Sequence, residues 1–314
     1  INIGIFMALV ATEIYTVAGG MWADAVTDLV QGIALILGLG LLFGIVMMQP
    51  EISDWLAATP PERFQVFPSN EQRPWYVVLD TWMIPILNAV VCQELIARTM
   101  ASKSPVIARN NCLIAGVLYL VVGMMPITIG ILGPQLVPNI DNPEHLLPIL
   151  AKRFFPGVMY VLFAGAIISA LLSTIDSCLL VSATLMANNL VPLGASSNDR
   201  ARLRWSRIWV VILGVATYLL ALTSDSVFEL SQSASSLGAS GLFVVVAFGL
   251  FTRWGGESTS IGSALVGLGV YLFGDKVAHW DASFLISLVA ATAAYLLLGI
   301  VDKAKPEYPT SATS

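Results

Sequence analysis

Apolar residues run along this chain in nine long stretches that short polar or charged segments separate. The stretches lie at residues 1–18, 26–48, 77–100, 111–133, 156–186, 205–223, 227–252, 258–274 and 283–301. Most are close to the roughly 20 residues that a helix needs to cross a bilayer. The pattern predicts an all-α integral membrane protein with about nine spans. Because Ile1 opens the chain inside an apolar run, we interpret the chain as an N-terminally truncated fragment.

Composition agrees with this class. Hydrophobic residues make up 57% of the chain and charged residues 11%, against roughly 45–50% and about 25% in soluble domains. The net charge of −5 is too small to indicate a nucleic acid or an anionic lipid surface as a partner. Three cysteines without Cys-x-x-Cys spacing and two histidines in loops predict neither a disulfide nor a zinc site.

The basic residues predict an orientation. The loop at 98–109 carries two arginines and one lysine, and the loop at 200–207 carries four arginines. Both should be cytoplasmic, because positive residues are enriched in cytoplasmic loops. The loop at 49–76 has four acidic and two basic residues and should face outward. Alternation then predicts a multi-pass plasma membrane protein with a cytoplasmic C-terminus.

One apolar run, 164–186, contains candidate ion ligands. Ala170, Ser173 and Thr174 fall at i, i+3 and i+4, so a helix points one carbonyl and two hydroxyls toward the same neighbour. Such oxygens suit a small hard cation. Asp176 follows, and a carboxylate inside a span costs about 2.5 to 3.5 kcal/mol, so it normally marks a site. Ordinary packing of small and hydroxyl residues between helices is the competing interpretation.

A second motif lies near the start of the chain. It reads Tyr-Thr-x-x-Gly-Gly at 15–20 and Thr-Asp-x-x-Gln at 27–31. We expect Gly19 and Gly20 to close a tight turn, after which a helix brings Asp28 inward. This arrangement resembles the fifth core helix of the sodium:solute symporter family. The segments 93–101 and 173–181 are similar to the end of that family's sixth helix and to its eighth helix.

The resemblance implies the leucine-transporter-type fold of two inverted five-helix repeats, with broken helices near the solute and sodium sites. Residues 1–76 would form the end of the first repeat (fourth and fifth core helices) and an external loop. Residues 77–252 would form the complete second repeat, from the sixth to the tenth core helix. Residues 253–314 would supply two peripheral helices and a cytoplasmic tail.

The resemblance also implies roles for single residues. The carbonyl of Ala170 and the hydroxyls of Ser173 and Thr174 map onto the eighth-helix half of the family's sodium site. Asp28 and Asp176 would form a second cation site if the fifth and eighth helices approach each other. Two nearby carboxylates in a low dielectric would otherwise share a proton.

Solute contacts are implied at two positions. Asn88 lies where sugar-transporting relatives keep a gating aromatic residue, and Gln232 lies where they keep a sugar-binding glutamine. Asn88 departs from that pattern, which weakens a hexose assignment. Amino acids, carboxylates, sugars and other small organic solutes are therefore open as substrates.

We predict a sodium-coupled symporter that imports a small organic solute by alternating access, and not an enzyme. An intramembrane aspartyl protease would need paired aspartates such as Asp28 and Asp176. Its Gly-x-Gly-Asp motif is missing, because Leu41 follows Gly38-Leu39-Gly40. Two further functions fit the same sequence pattern: a proton-coupled transporter and a symporter-like membrane sensor domain of a signalling protein.

Overall fold

The structure is a computed structural model that describes residues 2–66, 73–191, 199–222 and 226–302. For the first helix, side chains are described from Ala25 onward. Regular secondary structure in these residues is helical. Twelve α-helices follow one another: α1 Asn2–Met47, α2 Ile52–Ala58, α3 Trp75–Val91, α4 Gln93–Met100, α5 Pro105–Ile131, α6 Gly133–Leu136, α7 Leu146–Phe154, α8 Gly157–Asn189, α9 Asp199–Ala221, α10 Val227–Phe251, α11 Glu257–Lys276 and α12 Ser283–Val301.

The all-helical membrane fold is confirmed. Within the described residues, seven helical segments are long and apolar enough to cross a bilayer: Ala25–Met47, Trp75–Met100, Pro105–Ile131, Gly157–Asn189, Arg200–Ala221, Val227–Phe251 and Ser283–Val301. The stretch expected at 258–274 forms α11, a full helix that is not among the seven. Glycine and serine residues in α11 lower its mean hydropathy.

The turn predicted at Gly19 and Gly20 is wrong. Helix α1 continues without a break from Asn2 to Met47, so the two stretches expected at 1–18 and 26–48 belong to one helix. Glycine in a helix interior costs only about 1 kcal/mol relative to alanine.

The helices fall into two compact units. The first comprises residues 1–65 and 93–225. In its core, Leu42 of α1 and Ile129 of α5 are fully buried together with Leu150 of α7. Helices α1 and α8 approach closely at Gly38 of α1 and Phe163 of α8. A Cβ added at Gly38 would lie only 2.4 Å from the Phe163 ring. This packing fixes α8, which carries the predicted ion ligands, against α1, which carries Asp28.

The second unit comprises residues 66–92 and 226–314. Two carboxylates hold helix ends here. Asp80 of α3 is buried and accepts a hydrogen bond from the Leu285 amide, 2.7 Å away, at the start of α12. Asp302 accepts from the amide and the hydroxyl of Thr259 at the start of α11. A negative charge at a helix N-terminus satisfies free amides and is stabilised by the helix dipole.

A helix break lies where the chain passes from one unit to the other. Helix α3 ends at Val91, Cys92 has extended backbone angles (φ −63°, ψ 112°), and α4 starts at Gln93. A single extended residue thus interrupts the helical segment 75–100, and the assignment of this segment to the sixth core helix stays a prediction. The two units group residues by contact, and the predicted division into inverted repeats stays a prediction.

Candidate cation and solute sites

The three predicted sodium ligands lie together on α8. Thr174 Oγ1 donates a hydrogen bond to the Ala170 carbonyl oxygen, with 3.2 Å between the two oxygens. Ser173 is half-buried and Thr174 is exposed. A hard cation that binds oxygens at about 2.3–2.6 Å also brings neighbouring ligands to about 3–4 Å from each other. The spacing therefore suits a shared cation as well as the bond that threonine commonly makes four residues back.

Asp176 is buried on the same helix. Its side chain is 3% exposed, and that of Ser177 is 2% exposed. Both lie inside the first unit, whereas Thr174 reaches its surface. A carboxylate inside a span is expected to lie away from lipid. The burial of Asp176 agrees with this expectation.

A single arginine joins α1, α4 and α8. The guanidinium of Arg98 forms an ion pair with Asp28 Oδ2. It lies 3.2 Å from Glu94 Oε1 and donates to Ser177 Oγ at 2.7 Å. We call Asp28, Glu94, Arg98 and Ser177 the Arg98 cluster. Its two carboxylates share one guanidinium, so the cluster has one more acidic side chain than it has basic side chains.

Two oxygen atoms beside this cluster have no hydrogen-bond donor. Asp28 Oδ1 and Gln31 Oε1 are both buried and unpaired within the described part of the chain. Buried acceptors of this kind are rare, and each one calls for an explanation such as an ion or a water. The two residues are one helical turn apart on α1, which allows both oxygens to face one cation. The pairing of Asp28 with Asp176 stays a prediction.

A cavity of about 430 Å³ opens beside the Arg98 cluster. Its polar wall includes Glu94, Arg98 and Ser177, and its apolar wall includes Leu180 and Val181. No group of three or more His, Cys, Asp or Glu that could hold a metal occurs among the residues that the structure describes. Carboxylate, guanidinium and hydroxyl groups thus meet at one side of this cavity, and apolar side chains form the other side.

Helices α3 and α10 enclose a second cavity of about 420 Å³. We call it the α3–α10 cavity; it is lined by Thr81, Trp82, Ile84, Pro85, Ile86, Phe228, Ser231, Gln232 and Ser235. The amide group comes from α10, while hydroxyl groups and aromatic rings come from both helices. The cavity is large enough for a small organic molecule.

Both predicted solute residues lie on this pair of helices. Gln232 lines the α3–α10 cavity. Asn88 Nδ2 donates to Ser235 Oγ at 3.3 Å, and a Cβ on Gly238 would contact Asn88 Oδ1. Ser235 therefore connects Asn88 to the cavity wall, and polar residues near the start of α10 face α3.

Sequence reasoning missed several residues of these sites. Arg98 served only as an orientation signal, although an arginine and Asp28 near the same end of two spans could have been matched by charge. Trp82 lies near the end of a predicted span, where aromatic residues commonly anchor a helix at the interface, but it lines the α3–α10 cavity together with Phe228. Asp80, which the sequence analysis did not single out, is a buried carboxylate that caps the start of α12.

A multi-pass helical protein with an interrupted core helix and a solute-sized polar cavity belongs to the class of secondary transporters built from repeats. The chain belongs to the sodium:solute symporter family, whose sequence profile matches residues 1–267. Members of this family and the relatives found are transporters, not enzymes.

Three curated relatives illustrate the range of solutes. The human high affinity choline transporter 1 is 26% identical and is matched over 74% of this chain and 43% of its own length. The sodium/pantothenate symporter of Haemophilus influenzae is 24% identical, over 82% and 55%. The sodium/proline symporter of Staphylococcus aureus is 23% identical, over 84% and 54%. The chain thus spans about half the length of these relatives.

A solved structure shares the fold. It is a Na⁺-coupled sialic acid symporter in a substrate-bound outward-open state, with a TM-score of 0.76 and 20% identity. The match covers 95% of this chain and 65% of that one. The leucine-transporter-type architecture implied by the motifs is therefore confirmed at the level of the fold.

Proposed function

We propose that this chain is part of a sodium-coupled symporter that carries a small organic solute across the plasma membrane by alternating access. Membership of the sodium:solute symporter family over residues 1–267 carries this proposal. The observations on α8 and α10 support it. Neighbouring oxygen atoms on α8 and hydroxyl and amide groups in the α3–α10 cavity lie in spans that otherwise have little reason to be polar.

Sodium is proposed to bind at Ala170, Ser173 and Thr174. These residues offer uncharged oxygens on one helix face, and the remaining ligands would come from the first core helix of the family fold. An ion that bridges two helices stabilises the conformation in which both contribute ligands, here the outward-open state. Its release to the cytoplasm would remove that bridge and allow the transporter to change state.

The solute is proposed to bind in the α3–α10 cavity. No Asp, Glu, Lys or Arg is among the described residues that line it, so recognition from this side depends on hydrogen bonds and aromatic contacts. Gln232, Ser231 and Ser235 would bind polar groups, and the Trp82 and Phe228 rings would cover an apolar part. Aromatic faces also suit a quaternary ammonium group such as that of choline.

Uptake by the full-length protein in proteoliposomes tests this function. We expect an inward sodium gradient to drive accumulation of one member of a panel containing choline, pantothenate, proline, sialic acid and glucose. Gln232→Ala should raise the KM for that solute more than Gln135→Ala, a control outside the cavity. Accumulation driven by a proton gradient without sodium would instead support a proton-coupled transporter.

A second cation is proposed to bind near Asp28 and Asp176. The unpaired Asp28 Oδ1 supports this, since Arg98 contacts only Oδ2 of that residue and leaves Oδ1 without a hydrogen-bond donor. We expect Asp176→Asn to lower the sodium-to-solute ratio, or to abolish a pH-dependent part of uptake, while sodium binding at Thr174 persists. Asp141→Asn, in an exposed loop, is the control.

The ratio is measured from the membrane potential at which coupled flux reverses in proteoliposomes. If Asp176→Asn leaves both the ratio and the pH profile unchanged, there is no second cation at this position.

The cytoplasmic C-terminus is also a proposal, based on the arginine-rich loops. In a cysteine-free background, a cysteine at Ser102 should react with an impermeant reagent only from the cytoplasmic side. Reaction from outside would reverse the orientation.

A further inference from the structure

Three arginines form a stripe along the start of α9. Arg200, Arg204 and Arg207 lie four and three residues apart, which places them on one helix face. They line an open groove of about 620 Å³ together with Leu203, Ile208, Val211 and Ile212. The groove therefore has a cationic part and an apolar part that follow each other along the helix.

Two arginines of this groove have charges that no described carboxylate pairs with. Arg204 and Arg207 are exposed, and neither belongs to an ion pair with an Asp or Glu of the residues that the structure describes. The chain as a whole carries −5, so the positive groove is a local feature that the net charge conceals. An anion is the complementary ligand.

The position of the groove on the span suggests which anion. By length and composition, the segment of α9 that can cross a bilayer starts at Arg200, and Arg207 follows about 10 Å further along the helix axis. Arginines at this depth extend their guanidinium groups to the headgroup layer. The next residues of the groove, Ile208, Val211 and Ile212, would then lie at the level of the lipid acyl chains.

We propose that this groove binds an anionic phospholipid. The guanidiniums of Arg204 and Arg207 hold the headgroup phosphate, and one acyl chain lies along Val211 and Ile212. Arginine suits this role because its planar fork can donate two hydrogen bonds to a phosphate. The site is distinct from the cation and solute sites on α8 and α10 and does not depend on the transport proposal.

Native mass spectrometry of the full-length protein tests the proposal. Phosphatidylglycerol is titrated into delipidated protein in detergent, and the bound fraction is compared with Arg204→Gln/Arg207→Gln. Each basic side chain near a membrane surface contributes about a fivefold factor in binding, so the double variant should bind about 25-fold more weakly. The paired control Lys103→Gln/Arg109→Gln removes the same charge near the start of α5. It should bind phosphatidylglycerol like the unaltered protein.

Two further ligands identify the chemistry. Phosphatidylcholine should bind far more weakly than phosphatidylglycerol, and glycerophosphoglycerol, which lacks acyl chains, should not compete. The proposal is overturned if the Arg204/Arg207 variant binds phosphatidylglycerol normally, or if the control variant loses as much. Effective competition by glycerophosphoglycerol would also overturn it, because the groove would then be a phosphate site and not a lipid site.

Discussion

Replacing Gly267 by alanine is expected to lower the stability of the protein by about 1–3 kcal/mol, the usual cost of overpacking. A Cβ at this position would lie 2.2 Å from the Ser240 carbonyl oxygen and 3.0 Å from the Ala291 Cβ. The first of these atoms belongs to the backbone of α10 and cannot rotate away. Small residues allow membrane helices to approach closely, so the methyl group would force α10, α11 and α12 apart.

Gly269 provides a matched control on the same helix. A Cβ there would meet nothing within 4 Å, and alanine is favoured over glycine in helices by about 0.5–1 kcal/mol. Gly269→Ala should therefore be neutral or slightly stabilising. Thermal unfolding of the purified protein, followed by tryptophan fluorescence, separates the two variants. Equal midpoints for Gly267→Ala and Gly269→Ala would show that α10 and α11 are not packed in this way.

The same pair of glycines shows how far the sequence could predict the fold. The apolar pattern at 258–274 places both residues in one helix, and this helix is found as α11. Nothing in that pattern distinguishes Gly267 from Gly269, because the difference lies in α10 and α12. Periodicity reports which face of a helix is apolar, whereas the distance to a neighbouring backbone depends on the tertiary structure.

Some contacts of the candidate sites could likewise be predicted from the sequence, and others could not. Ala170 and Thr174 are four residues apart on one helix, so their contact follows from helical geometry alone. The ion pair of Arg98 and Asp28 joins residues 70 positions apart, and no local pattern indicates it. The expected turn at Gly19 and Gly20 failed for a related reason, since a glycine pair permits a turn but does not require one.

Two buried carboxylates illustrate the limit of reasoning from burial cost. Asp176 and Asp80 are both buried in membrane-spanning helices, and the same energetic argument marks both as sites. Asp80 caps the start of α12, which explains its burial by structure alone. The sequence alone does not show whether Asp80 caps a helix or binds an ion. The packing of α3 against α12 shows that it caps a helix.

The second large effect concerns the sodium ligands themselves. A hydrogen-bonding contact to a charged group contributes about 1.5–3 kcal/mol, and a direct hydroxyl ligand of sodium should contribute at least as much. We therefore expect Ser173→Ala and Thr174→Ala each to raise the sodium concentration for half-maximal uptake by about tenfold or more. Thr174→Ser keeps the hydroxyl and should restore most of the sodium affinity.

Sodium dependence of uptake in proteoliposomes, compared between Thr174→Ala and Ser182→Ala, tests the proposed sodium site most directly. Ser182 is an exposed hydroxyl on the same helix, eight residues further on, and lines the same small cavity as Thr174. We expect a large increase in the half-maximal sodium concentration for Thr174→Ala and no change for Ser182→Ala. Equal sodium dependence in both variants would contradict a sodium site at Thr174 and assign its hydroxyl to helix packing.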